Sequence, residues 1–294
     1  FTVKVGKPKD AEAAKNGTKT GGRGANFLCL MSQTPISGDY IKAEGMAGRI
    51  GERLMAIVAA GDRGRVYLAP TSEHSAAAQC DRESYAPAQE LPRESKGRTA
   101  FWCVLYGLTN YGKLFTPRQL VALTTFSDLV QEACERVRRD AIQAGLPDDT
   151  PLGHSGESRN PRTTEHLDPS FRRGDEGGRG LTENGAGPTA YADAVGVYLA
   201  FAVDKVADRG SSLGRWDPTP TQSGIINTFS RQALPMTWDF AESNPLGDAS
   251  GNYKSAVDLV AKALLAALAN APGYAKQDDA GTQLVSADKL VSTD

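Results

Sequence analysis

The chain has 294 residues, with 33 basic and 35 acidic side chains, a net charge of −2 and a hydrophobic fraction of 40%. That length carries one large domain or two modest ones, and the apolar content supports a real core. A mean hydropathy of −0.38, with no apolar run near the roughly 18 residues of a spanning helix, argues against a membrane chain, and the balanced charge leaves any nucleic-acid binding to local basic surface.

Residues 6–26 are rich in Gly, Lys and Asn and read as a flexible lead-in with Lys15, Lys19 and Arg23 as solvated cations. The run Gly21-Gly22-Arg23-Gly24 has the spacing of neither a dinucleotide loop nor a Walker loop. Between Ala47 and Ala60, Ile50, Leu54, Ile57 and Val58 recur at helical spacing before Gly61, which predicts a helix. Arg65 to Ala69 predicts a strand ended by Pro70. Residues 81–99, polar and Pro-containing, predict a linker.

The clearest helix starts at Thr116, a good N-cap, with Pro117 at the first position where its missing N–H costs nothing. Leu120, Leu123, Phe126, Val130, Ala133, Val137 and Ala141 trace its buried stripe, Glu132/Arg136 and Glu135/Arg139 pair outside, and Gly145 and Pro147 end it. Residues 147–187 hold few apolar side chains and predict a disordered insertion. Their text resembles peptides translated from dispersed bacterial repeat elements. Gly153-His154-Ser155-Gly156 fails as a nucleophile elbow, because Glu157 stands where Gly is required and no strand precedes it.

A second helix is predicted from Thr189 to Ala207, with Tyr191, Val195, Tyr198, Ala202 and Val206 facing the core. Ile225 to Leu234 predicts another, broken by Pro235, and Tyr253 to Asn270 a fourth. The coda from Gln283 predicts a strand that delivers Asp294 to its carboxyl end, where open α/β enzymes place chemistry. With Phe1 in place of an initiator Met, the chain reads as an internal piece of a larger protein.

Cys29, Cys80, Cys103 and Cys134 form no C-x-x-C pair, and His74, His154 and His166 sit at no ligand spacing. Such thiols fit a reducing cytoplasm. No metal site is predicted.

Three blocks carry a family resemblance: GDYIKAEGMAGRIGERLMAIVAAGDRGRVYLAP (Gly38 to Pro70), YGLTNYGKLFTPRQLVALTTFSDLV (Tyr106 to Val130), and AYADAVGVYLAFAVDKVADRGSSL with NTFSRQALPMTWDFAESNP (within Ala190 to Pro245). Together they resemble the large bacterial adenine-specific DNA methylases that carry a zinc ribbon and a domain of unknown function. The resemblance implies S-adenosylmethionine as methyl donor for the whole enzyme, double-stranded DNA as substrate, and restriction or defence-system subunits as partners. Nothing in this sequence matches the family's Gly-rich donor loop. Asp294 falls where the Asp of its Asp-Pro-Pro-Tyr motif would stand, as hydrogen-bond acceptor for the target amine, with the Pro-Pro-Tyr missing. In Cys29-Leu30-Met31-Ser32, Ser32 replaces a second thiol, so no intact zinc site is implied.

The implied fold is α/β and predominantly helical, a partial Rossmann-like methyltransferase fragment. A degenerate ribbon-like segment fills residues 1–80, and the helical part occupies residues 100–146 and 188–294. Arg231, Trp238, Asp239, Glu242 and Asn244, in a helix–turn–helix-like stretch around Pro235, are candidates for the cofactor or base pocket. The slightly favoured alternative is that Trp238 and Phe240 are core and Arg231 pairs with Glu242. Arg118, Arg136, Arg138 and Arg139 are candidates for DNA phosphate contact. The expected function is part of an adenine-specific DNA methyltransferase, inactive alone; the alternative is a non-catalytic helical module binding DNA or a partner.

Overall fold

A computed structural model describes residues 2–20, 26–80, 86–92, 101–147, 178–217, 224–231, 233–249 and 251–267. Asp294, the coda strand and most of the 147–187 insertion lie outside the described residues, as do residues 81–85 and 93–99 of the linker. The chain divides into two units, Phe1–Val260 and Ala261–Asp294. Within the described residues the fold is mixed α/β, dominated by helix, with three separate two-stranded antiparallel sheets.

The first unit opens with α1 (Ala11–Asn16), capped by the Asp10 carboxylate, which accepts from the Glu12 and Ala13 N–H groups. Strands β1 (Phe27–Leu28) and β2 (Pro35–Ile36) then pair as a short hairpin whose turn contains Cys29 and Ser32. Helix α2 (Gly38–Met46) starts at Ser37, whose hydroxyl accepts from the Tyr40 N–H.

Here the structure corrects the predicted helix from Ala47 to Ala60. Gly48 takes φ +70°, in the left-handed region that ends helices, and Arg49 folds back onto Glu44 through two 2.7 Å hydrogen bonds. Residues from Ile57 instead form β3 (Ile57–Gly61), which pairs with β4 (Gly64–Leu68) in the register Ile57↔Leu68 to Gly61↔Gly64. Ile57 and Val58, apolar neighbours that suited a helical stripe, point to opposite faces of this hairpin. The predicted strand at Arg65 is β4.

After α3 (Ser72–Ala77) and two short 3₁₀ turns, Trp102–Tyr106 and Tyr111–Leu114, the long helix α4 spans Pro117–Gln143. Its start is as predicted. The Thr116 hydroxyl accepts from the Gln119 N–H, and the Gln119 side-chain oxygen accepts from the Thr116 N–H at 2.8 Å. Gly145, at φ +80°, follows its end.

Helix α5 (Pro188–Arg209) packs along α4 through small residues. Ala190, Ala192, Gly196, Ala202 and Val206 are buried, and a Cβ on Gly196 would come within 2.6 Å of the Cys134 Sγ. The predicted face is corrected in part: Ala202 and Val206 are buried as expected, whereas Tyr191 is 55% exposed and Tyr198 39%, because the close approach to α4 admits only small side chains.

Strands β5 (Arg215–Asp217) and β6 (Gly224–Ile226) pair next. The predicted helix from Ile225 to Leu234 is absent: its first residues belong to β6, and no helix follows among the described residues before α6 (Tyr253–Ala266). The reason is local. The Asp208 carbonyl and carboxylate take the Thr228 and Phe229 N–H groups, and the Thr228 hydroxyl is buried 2.7 Å from that of Ser211.

Two cores hold the first unit together. One gathers Leu91, Cys103, Val104, Leu114, Leu213 and Leu234 beneath the 3₁₀ turns. The other joins Ala202 and Val206 of α5 to Ala256 of α6, with Leu123 and Tyr253 against it. Gly45 and Gly107 approach so closely that a Cβ on either would strike the other segment's backbone, which fixes α2 against the first 3₁₀ turn. Of the second unit, the described residues are the end of α6 and Ala267.

Candidate functional site

The N-terminus of α4 supplies Arg118, and the irregular segment after Trp238 supplies Glu242. The Arg118 guanidinium grips that carboxylate with two nitrogens, Nε to Oε1 at 2.6 Å and Nη2 to Oε2 at 2.5 Å. Its Nη1 reaches the Glu52 Oε1 at 2.5 Å. Burial alone would lower the Arg118 pKa, yet the hydrogen bonds it donates to Glu242 and Glu52 outweigh it and hold the pKa above its ordinary value. One always-charged fork thus clamps two carboxylates from distant stretches of chain.

Beside this clamp lies a cleft of about 280 Å³ lined by Gln119, Ala122 and Leu123 of α4, Val206 and Gly210 of the α5 end, and Ser243, Asn244 and Pro245. Its polar edge is Arg118, Gln119, Glu242, Ser243 and Asn244; the rest is apolar. The Asn244 Oδ1 accepts from the Leu246 N–H at 3.0 Å, which turns the chain at the cleft mouth.

The predicted pocket residues do not gather as one group. Glu242 and Asn244 line the cleft. Trp238 stands elsewhere, edge-on to Phe27 at 5.4 Å and to Tyr106 at 5.1 Å, and stays 39% exposed. Asp239 and Arg231 are exposed. The expected Arg231–Glu242 pair is corrected, since Arg118 holds Glu242 from the helix side. The helix–turn–helix-like form around Pro235 is corrected with it: the described residues there are irregular.

Among the arginines predicted to meet phosphate, Arg118 already faces two carboxylates. Arg136 lies 4.0 Å from Asp140 with 79% of its side chain exposed, Arg138 is half-buried and Arg139 exposed. Sequence reasoning missed Glu52 and Gln119. Gln119 carried a signal, since Thr116-Pro-Arg-Gln119 is a capping box; Glu52 carried none.

The thiols differ by environment. Burial pushes the Cys103 thiol up to about 11, and burial followed by the nearby Asp193 charge raises Cys134. Cys29 is held below its ordinary value by the Ser32 hydroxyl, then by the Ser32 and Met31 backbone amides. Among the described residues no three His, Cys, Asp or Glu side chains are placed to hold a metal ion, and no helix is long and apolar enough to cross a membrane. Comparison with protein-family models, with characterised proteins and with solved structures finds no match.

Proposed function

We propose that this chain supplies a region of an S-adenosylmethionine-dependent adenine-specific DNA methyltransferase and does not transfer methyl groups by itself. The observation that carries the reading is the Arg118 clamp. Glu52, Arg118 and Glu242 each come from a different one of the three blocks that resemble the methylase family, and one guanidinium joins them. Stretches separated by 66 and 124 residues thus meet in one spot, as expected if the blocks were kept together as a working unit.

The residues present do not fit the methyl donor. The family's Gly-rich loop has no counterpart in the sequence. In the whole enzyme S-adenosylmethionine would provide the transferable methyl. For this chain the reading assigns scaffolding: α4, α5 and the Arg118 clamp hold the segment Asn227–Asn244 in a fixed place, with Asp294 as the proposed acceptor for the adenine amino group. Rossmann-like and ribbon-like relationships belong to the same proposal.

The test is a chimera in which this chain replaces the corresponding region of an active family methylase, with N6-methyladenine in cellular DNA as the readout. Retained methylation, lost on Arg118→Ala, is expected; a folded chimera without methylation would contradict the reading.

A second reading, a non-catalytic helical module that docks a partner, is favoured by the apolar side chains on the outer face of α5. Tyr191, Val197, Tyr198 and Phe201 are each 39% exposed or more, and a monomer gains nothing by leaving them wet. The partners under this reading would be restriction or defence-system subunits, or DNA.

A further inference from the structure

The outer face of α5 carries side chains at a spacing that reads the same from either end. Val197, Tyr198, Phe201, Asp204 and Lys205 are all exposed, and at i, i+1, i+4, i+7 and i+8 they share one face of the helix. Phe201 stands at the centre, with Val197 and Tyr198 on its N-terminal side and the charged Asp204 and Lys205 at matching distances on the other. Tyr198 meets Phe201 edge to face at 6.1 Å, so the two rings form one ridge.

One group on this face lacks compensation. The Asp204 side chain reaches the surface, yet partial burial raises its carboxyl above the ordinary value, and neither a hydrogen bond nor an opposite charge offsets that cost. Lys205 forms no ion pair among the described residues. A parallel copy of α5 would bring Asp204 against Asp204 and add repulsion. An antiparallel copy with Phe201 on the two-fold axis does the opposite. It sets Tyr198 of each copy opposite Asp204 of the other, and Val197 opposite Lys205, because each pair is equidistant from position 201.

We propose that the outer face of α5 docks a second, antiparallel copy of this chain, with the Tyr198 hydroxyl of each copy donating to the Asp204 carboxylate of the other. Phe201 packs on its counterpart at the axis, and the Lys205 stem covers Val197 while its ammonium stays in water. The inference rests on the partner-docking reading and names the partner. A single helix crossing buries less than the roughly 800 Å² per partner of a stable interface, so a weak dimer is expected, with Kd on the order of 100 µM.

The experiment is sedimentation velocity of the full chain from about 10 µM to about 1 mM, which spans that Kd. A saturable rise from monomer to dimer is expected. Phe201→Asp should keep the chain monomeric throughout and change Tm little, since the ring is exposed. Tyr198→Phe should weaken dimerisation about tenfold, through the two hydrogen bonds to charged groups that it removes. Mixing Val197→Cys copies with Lys205→Cys copies and adding a short bismaleimide should link position 197 to position 205 in preference to position 197 to itself. The inference is overturned if the wild type stays monomeric, if either Phe201→Asp or Tyr198→Phe dimerises as before, or if links between two copies of position 197 prevail. The partner-docking reading falls separately, if Phe201→Asp also leaves binding to duplex DNA and to a co-expressed restriction subunit unchanged.

Discussion

Arg118 sits where three segments meet, so its removal should be felt far from its own helix. Its side chain is 29% exposed and that of Glu242 28%, between the open surface, where ion pairs contribute about 0–1 kcal/mol, and full burial, where breaking one costs about 3–5 kcal/mol. Glu242→Ala is expected to cost about 1–2 kcal/mol in urea unfolding, by interpolation between those limits. The cost should shrink in an Arg118→Ala background; strict additivity would mean that the clamp contributes nothing.

The cysteines allow a test of pH dependence. Burial raises the folded Cys103 pKa to about 11, above its ordinary value. A thiol raised on folding favours the folded state fully below the unfolded pKa, and that contribution is lost as pH rises through the folded value. Stability should therefore decline from about pH 9 to 11, and Cys103→Ala should flatten that limb while lowering stability near neutrality through the lost packing. An unchanged alkaline limb would contradict the burial argument. Cys29, held low by Ser32, should react with iodoacetamide faster than Cys103 or Cys134, and Ser32→Ala should slow it.

At the scale of elements, the α4–α5 pair sets the frame for the cleft, since both helices contribute to its lining. Gly196→Ala would gain up to about 1 kcal/mol of helix propensity but would drive a methyl against the Cys134 Sγ, at 2.6 Å. Overpacking of that kind costs about 1–3 kcal/mol, so net destabilisation is expected, relieved by Cys134→Ala. A more stable Gly196→Ala protein would mean that the helices stand farther apart. Tyr191→Ala, on the outer face, should change Tm little.

The elements that were legible in the sequence are those written locally. The α4 start was readable because Thr116 and Pro117 each favour one conformation at the same place, and β4 because Pro70 closes the run Arg65 to Ala69. The hairpin was hidden by its own residues: Ile50, Leu54, Ile57 and Val58 fit a helical stripe, and the turn signal Gly61-Asp62-Arg63-Gly64 outranked it only in the fold. The α5 face was read rightly at Ala202 and Val206 and wrongly at Tyr191 and Tyr198, because aromatic spacing suggested core whereas the approach to α4 is decided by Gly196 and its alanines. The cleft was illegible, since the α4 start, the α5 end and residues 242–245 that line it are brought together only by tertiary packing.

For the whole molecule, the exposed apolar surface fits a chain that works against something else. Val58, Val66 and Leu68 on the β3–β4 hairpin stay 40% exposed or more, and α5 adds its aromatic face. If the partner is DNA, binding should weaken steeply with salt; a flat response would remove DNA from the partner-binding reading and leave a protein partner.

The scaffolding claim is tested most directly by a labelled-donor methylation assay on duplex DNA. The assay compares this chain alone, a family methylase stripped of the matching region, and the two mixed. Incorporation at adenine is expected only in the mixture, and Arg118→Ala in this chain should abolish it. Label transferred by this chain alone, or none from a mixture in which the two proteins co-purify, would contradict the account.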